Sequence, residues 1–413
     1  MKTPLRIAIS ICAFAVCFGP SKTYSLPPQS HSHREFPVGV LVSLTGSWST
    51  LGQNTVAGLQ IAADQIDAAT HAAHSGFRVR LVVRDTQLDP SKALAAIMDL
   101  DRRGVKIIIG PQSSAEVAAI KPYADAHNIL VISQGSTASS LAIAGDNIFR
   151  VCPNDKREAE ALVALLQHDG IHAIVPLWRN DAGNQGLHDS VQAAFETAGG
   201  MVASGFRYEP TTTDFSTAIS LVSSQVNQQI ANGFSSSQVA VYLAAFDEVV
   251  DVFNAAHANA TLSSTRWYGS DGVALSAVLP ADATAAAFAV NAGYPNPIFG
   301  LDDALQAQWQ PIASAIEART GINADAFALS AYDALFVVQR ALQDAGGVKN
   351  FAGFKSAFSF EANAYVGVTG STALDPAGDR LNGDFDFWAL RPENGGYGWV
   401  RIGSYVNGSL SVF

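Results

Sequence analysis

The feature that most constrains this chain is its rhythm: short β-rich runs alternate with longer amphipathic patterns, twice over, from Phe36 almost to the end. Phe36–Leu44 reads as a strand. Thr50–Ala69 reads as a helix with Val56, Leu59, Ala63 and Ile66 on one face. Phe77–Arg84, Val105–Ile109 and Ile129–Ile132 follow as strands, with helices over Pro90–Arg103, which opens on a proline, and Ala115–His127 between and after them. Strands separated by helices form right-handed βαβ units around a mostly parallel sheet. After Cys152-Pro153-Asn154 the alternation restarts, with helices over Lys156–Gln167, Gly186–Ala198, Thr213–Asn227 and Glu248–His257. Strands are expected at His172–Leu177, Gly205–Tyr208, Val239–Ala244, Arg266–Tyr268 and Phe288–Gly293. Long helices over Asp302–Arg319 and Ala326–Ala345 and strands at Asp384–Leu390 and Tyr397–Ile402 close the chain. The class is α/β, with two doubly wound lobes of similar size built on central parallel sheets.

The first residues stand apart from that rhythm. Lys2 and Arg6 precede an apolar run, Ile7–Phe18, broken only by Ser10, and a polar stretch reaches Ser25. This is the plan of a secretory signal peptide over residues 1–25, and the apolar run falls short of the roughly 20 residues that span a bilayer. A polar leader, 26–35, follows. Cys17 invites a lipidated reading, but Val16 before it is larger than the residue such sites use. The mature chain is expected outside the cytoplasm, periplasmic or extracellular, with no segment inserted in a membrane.

Removing the leader leaves Cys152 as the one cysteine and takes Lys2, Arg6 and Lys22 from a chain of net charge −11. One cysteine makes neither an internal disulfide nor a thiolate metal site, and an acidic chain without a basic cluster is no nucleic-acid binder. No HExxH, GxSxG, Walker lysine loop or CxxC occurs. His31 and His33 lie in the polar leader, and His71 and His74 lack a nearby carboxylate, so no metal and no catalytic residues are expected. Gly110-Pro111-Gln112-Ser113-Ser114 resembles a phosphate loop only superficially, since it lacks the glycine spacing. No cofactor is expected.

What recurs is a set of polar strand-to-helix loops: Thr45-Gly46-Ser47-Trp48, Gln112-Ser113-Ser114, Gln134-Gly135-Ser136-Thr137 and Ser270-Asp271-Gly272. All fall at the carboxyl ends of expected strands, the edge at which open α/β sheets bind ligands. Each alone is acceptable turn chemistry. Together, at one edge, they read as a binding site. Ser114 at a helix N-terminus suits a carboxylate, through its hydroxyl and the free backbone N–H groups.

These residues carry a family resemblance. Val38-Gly39-Val40, Leu44-Thr45-Gly46, Leu51-Gly52, Ile109-Gly110-Pro111-Gln112-Ser113-Ser114, Ile132-Ser133-Gln134-Gly135-Ser136-Thr137, Asp214-Phe215-Ser216, Trp267-Tyr268-Gly269-Ser270-Asp271-Gly272 and Ala331-Tyr332-Asp333-Ala334 stand in an order and spacing similar to the leucine/isoleucine/valine-binding type of periplasmic amino-acid-binding proteins of ABC transporters. The resemblance runs over essentially the whole mature chain. It implies a type I periplasmic-binding fold, two lobes joined by a three-crossover hinge, with crossovers near Val151–Asn154, Ala283–Ala287 and Tyr365–Thr369. Lobe 1 would then comprise 36–152 plus 285–366, and lobe 2 153–284 plus 367–413.

The resemblance also implies that Ser114, Gly135 and Thr137, with Ser113 and Ser136 beside them, hold a ligand carboxylate and that Asp271 holds its ammonium. Asn184, in Gly183-Asn184-Gln185-Gly186, stands where the family often has an aromatic, and Phe246 stands where a hydroxyl-bearing ring is common. Trp48 is either a lid over the ligand side chain or a packed loop aromatic. The implied function is capture of a small amino acid, branched-chain ones among the candidates, for delivery to a membrane ABC permease. Two alternatives are a sensing module for amides, urea or short carboxylates, which Asp271 disfavours, and an exported hydrolase, for which no nucleophile is evident.

Overall fold

The computed structural model describes residues 34–74 and 76–413; the expected signal peptide lies outside the described residues, and so does nearly all of the polar leader. The first pass of the chain runs β1 (Arg34–Val42), α1 (Ser49–Ala72), β2 (Phe77–Asp85), α2 (Pro90–Arg102), β3 (Ile107–Ile109), α3 (Ser114–Ala126), β4 (Leu130–Ser133) and β5 (Ile148–Arg150). These strands form one parallel sheet in the order β2-β1-β3-β4-β5. Successive residues of a strand face opposite sides, so a sheet covered on both faces needs apolar residues throughout. Val40 and Val42 accordingly join a core with α1, while Leu41 between them joins a second core against α2 and α3. Gly52 lets α1 approach β1: a Cβ there would stand 1.8 Å from the Ser43 carbonyl oxygen.

The chain then crosses into a second lobe: α4 (Asp155–His168), β6 (Ala173–Arg179), α5 (Ala182–Thr197), β7 (Met201–Val202), β8 (Phe206–Tyr208), α6 (Ser216–Ala231), β9 (Val239–Ala244), α7 (Val249–Ala256), α8 (Ala260–Ser263), β10 (Arg266–Tyr268), α9 (Val278–Ala281), α10 (Ala283–Ala292) and β11 (Asn296–Phe299). Its parallel sheet has the order β10-β9-β6-β7, with β8 also on β6. It too carries a core on each face: Val241 and Leu243 on one side, Ala240 and Tyr242 on the other. Helices α11 (Gln306–Thr320), α12 (Ala326–Asp344) and α13 (Phe351–Ala364) return to cover the first lobe, followed by the short pair β12 (Val366–Gly367) and β13 (Gly370–Ser371). Strands β14 (Phe385–Glu393), β15 (Gly396–Val406) and β16 (Ser409–Val412) complete an antiparallel sheet with β11 on the second lobe.

Two expectations need correction. The strand expected at Phe288–Gly293 and the crossover expected at Ala283–Ala287 are one helix, α10, whose Ala285, Ala286, Phe288 and Ala289 are buried in the second lobe's core. The alanine run favours helix. Asp282 caps it by accepting from the N–H groups of Thr284 (3.1 Å) and Ala285 (2.9 Å), and Gly293 at φ 58° ends it. The second crossover therefore follows β11, near residue 300. The third is later than expected as well. Tyr365, Val368 and Leu374 pack on the first lobe's core, and Phe385 on the second lobe's, so the passage lies near residues 381–384. The lobe boundaries drawn at 284/285 and 366/367 move with them.

The first crossover lies where expected and is clamped to the third by buried arginines. Arg150 makes a bidentate pair with Asp379, 2.5 Å from Nε to Oδ1, and Arg380 donates to the Val151 carbonyl (3.1 Å) and the Thr369 carbonyl (2.6 Å). Asp333 accepts from the N–H groups of Val368 and Thr369, both at 2.9 Å, and from the Thr369 hydroxyl. No helix among the described residues is long and apolar enough to cross a membrane.

Candidate functional site in the cleft between the lobes

The first lobe's wall is built from three loops that follow β1, β3 and β4. Buried hydrogen bonds fix them to one another. Gln112 accepts from the Ser43 N–H (3.1 Å) and donates to the Trp48 carbonyl (2.8 Å), while Ser133 donates to the Pro111 carbonyl (2.6 Å) and accepts from the Ser136 N–H (3.0 Å). Ser113 forms a capping box with Glu116 at the start of α3, so its hydroxyl is committed to Glu116 Oε2 at 2.6 Å. Ser114, one residue on, accepts from the Ala138 N–H (3.2 Å) and lies 3.0 Å from the Ser136 hydroxyl. Ser114, at the N-terminus of α3, and Gly135 and Thr137, in the loop after β4, thus form a neutral wall of hydroxyl and backbone donors.

The second lobe's wall differs in charge. Asp181 caps α5 through the N–H groups of Gly183 and Asn184, both at 3.0 Å, and accepts from the Asn184 amide at 3.0 Å. Phe246 lies in the loop after β9, with the Arg179 guanidinium 5.4 Å from its ring centre. Asp271 lies in the loop after β10. Gly272 beside it allows a close approach, since a Cβ there would meet the Ala245 carbonyl oxygen at 2.5 Å. The Asp271 N–H donates to Glu158 Oε1 (3.1 Å), whose other oxygen has no hydrogen-bond partner among the described residues. Asp155, one turn earlier on α4, has neither oxygen in a well-formed hydrogen bond among the described residues.

Burial therefore governs the protonation of these three acids. It pushes Asp271 up to about 8, helped by the charge of Asp155 and only partly offset by the Gly272 N–H. Asp155 is pushed up to about 7, again chiefly by burial, against the opposing pull of the Thr137 hydroxyl and Arg150. Glu158 is raised by burial and by the charges of Asp271 and Asp155. Arg150 faces this cluster but is already paired with Asp379. The wall has acids in excess and favours any cation that enters.

The walls meet. The Trp48 N–H donates to Asp247 Oδ2 (2.7 Å), the Ala277 N–H donates to the Thr50 hydroxyl (3.2 Å), and the Trp48 and Phe246 rings lie 4.8 Å apart. Between them remain two cavities of about 10 Å³ each. One of these is lined by Trp48, Ser113, Ser114, Gly135, Thr137, Asn184, Phe246 and Asp271, so the structure brings eight of the nine expected residues to one place. The ninth, Ser136, stands behind Ser114 as its hydrogen-bond partner. Sequence reasoning missed Asp155, Glu158 and Asp247. The first two form an i, i+3 pair in the first turn of a helix, where acids are ordinary complements of the helix dipole.

Comparison with known proteins agrees with this architecture. The chain matches the periplasmic binding protein family over residues 35–395. It is 25% identical over 384 residues to an uncharacterized protein of Methanocaldococcus jannaschii, covering 89% of this chain and 88% of that one. It is 23% identical over 365 residues to the Leu/Ile/Val-binding protein BraC3 of Rhizobium johnstonii, covering 86% and 92%. Its fold is similar to that of LivJ, the branched-chain amino acid transporter substrate-binding protein of Streptococcus pneumoniae solved with isoleucine. The TM-score is 0.69 at 19% identity, over 89% of this chain and all of that one.

Proposed function

This chain belongs to the periplasmic binding protein family, and from that premise we propose that it captures a small amino acid between its lobes and delivers it to a membrane ABC permease. The observation that carries the reading is the asymmetry of the cleft. Neutral donors at Ser114, Gly135 and Thr137 face an acid-rich wall at Asp271. An α-amino acid carries a carboxylate for the first wall and an ammonium for the second, a few ångströms apart. Charge-assisted hydrogen bonds of this kind contribute roughly 1.5–3 kcal/mol each. An amide, urea or a plain carboxylate supplies no cation for Asp271, so the sensing alternative leaves that wall unmatched.

A thermal-shift screen against the twenty amino acids, acetamide, urea and benzoate tests the reading, because a ligand that binds the folded state raises its apparent stability. Stabilisation by one or more amino acids is expected. Stabilisation by amides or benzoate alone would reject it.

The same reading assigns export to the basic and apolar leader and acts through binding rather than catalysis. Mass spectrometry of the exported protein should find an N-terminus between Leu26 and Gln29. An intact Met1, or a lipid on Cys17, would contradict that.

A further inference from the structure

We propose that Trp48 is a partition that restricts the ligand to amino acids with small side chains; this rests on the amino-acid reading above. Trp48 and Asp271 line both cavities of the cleft. On one side of the indole lies the polar chamber of Ser114, Gly135, Thr137 and Asp271, suited to the charged head of an amino acid. On the other lies a chamber walled by Leu51, Ala274, Leu275, Ile298 and Phe327, with Thr50, Ser276 and Asp325 beside them; its apolar share suits an aliphatic side chain. Each has room for about one water molecule. The indole of Trp48 and the Asp271 side chain are the walls they share.

Its position is firmly held. Trp48 is 5% exposed, its ring packs on Phe246 and meets Phe327 edge-on at 6.3 Å, and its tip reaches within 3.4 Å of where a Gly135 Cβ would stand. The backbone is fixed as well. Trp48 adopts φ 58°, a conformation that non-glycine residues adopt at a cost. It is kept there by the bond from its N–H to Asp247 and by the bond that its carbonyl accepts from Gln112. A ligand side chain that extends from the first chamber toward the second has to pass through the space the indole fills.

The test is calorimetric affinity for glycine, alanine and leucine, measured on the wild type, Trp48→Gly and Trp48→Phe, with thermal unfolding to establish that each variant folds. Glycine suits the left-handed backbone, and the phenyl ring keeps part of the contact with Phe246. The wild type should bind alanine or glycine at least tenfold more tightly than leucine. Trp48→Gly should join the chambers and improve leucine binding at least tenfold relative to alanine, with Trp48→Phe intermediate. A wild type that binds leucine as tightly as alanine would overturn the proposal. So would variants in which affinity for all three ligands falls by one common factor. Binding of none of them, with stabilisation by other amino acids in the screen, would overturn the size limit and leave the amino-acid reading standing. Binding of no amino acid at all would overturn both.

Discussion

The two walls of the cleft solve opposite problems. The first lobe's loops tie to one another: Gln112, Ser133, Ser136 and the capping box of Ser113 and Glu116 hold the donors of Ser114, Gly135 and Thr137 in place, and no charged side chain of that lobe lines the cavity. The second lobe's wall brings charge that its own residues do not compensate, because Asp271, Glu158 and Asp155 are buried together while Arg150 is occupied by Asp379. A neutral wall orients a ligand; an uncompensated acidic one selects its charge. The difference teaches that the ligand's cation, more than its anion, should dominate affinity.

Replacing Asp271 with Asn tests that most severely. With an amino acid bound as proposed, the variant leaves its ammonium buried without a partner, a loss on the order of 3–5 kcal/mol, or more than a hundredfold in affinity. The free protein should keep its melting temperature, since Asn copies the shape of a carboxyl that is already protonated much of the time near neutral pH. Calorimetry within a few-fold of wild type would remove Asp271 from recognition and with it the asymmetry of the walls.

The second effect follows from the raised acids and needs its sign worked out. Asp271 in the free protein binds its proton up to a pH of about 8, against an ordinary value of 3.8, so between these limits the folded state holds more protons than the unfolded one. Stability of the free protein should therefore fall as pH rises from about 4 to about 8. Ligand affinity should move the other way, because an ammonium prefers the ionised carboxylate. A group titrating near 8 is almost wholly protonated at pH 6 and substantially ionised at pH 8, so affinity should rise by roughly tenfold or more over that span. Binding at pH 7 should also release protons, seen as a calorimetric enthalpy that varies with the ionisation enthalpy of the buffer. A flat affinity profile from pH 6 to pH 8 would mean that the acids of this wall do not meet a cation.

The first lobe's wall should answer more mildly. Ser114→Ala removes one hydroxyl from a group of donors, a change of about 1–3 kcal/mol, so the affinity should fall by roughly five- to 150-fold and less than in Asp271→Asn. The reverse order would place the anion in command.

Much of this contrast was legible before the structure. Strand-to-helix loops at one sheet edge, Gly269 to Gly272 around Asp271, and a serine at a helix start are local patterns, and local patterns survive in a sequence. The helix over Ala283–Ala292 was legible too, in its alanines and in Asp282, but the apolar stretch from Phe288 onward has the look of a buried strand. What could not be read was set by distant partners. Nothing near Asp155 or Glu158 marks them as buried, because burial is imposed by the Gly269–Gly272 loop and by α5. The same holds for Asp247 and Trp48, which stand 199 positions apart and meet only when the lobes do.

That meeting makes the smallest and most particular prediction. Asp247 accepts from the Trp48 N–H across the cleft and from the Ser276 hydroxyl within its own lobe, each at 2.7 Å. When the lobes open, the Trp48 N–H turns to water and the Ser276 bond remains, so only the first bond distinguishes closed from open. One such bond has a net value of about 1 kcal/mol, which converts to roughly fivefold in affinity. Asp247→Ala should show that loss as faster ligand dissociation at an unchanged association rate, because the bond forms after the ligand has entered. Asp247→Asn keeps an oxygen acceptor and should lie nearer to wild type. Stopped-flow release rates on the two variants separate these outcomes. An alanine variant that releases ligand at the wild-type rate would show that this bond does not hold the walls together, and that the contact between Trp48 and Asp247 is a consequence of closure and not one of its causes.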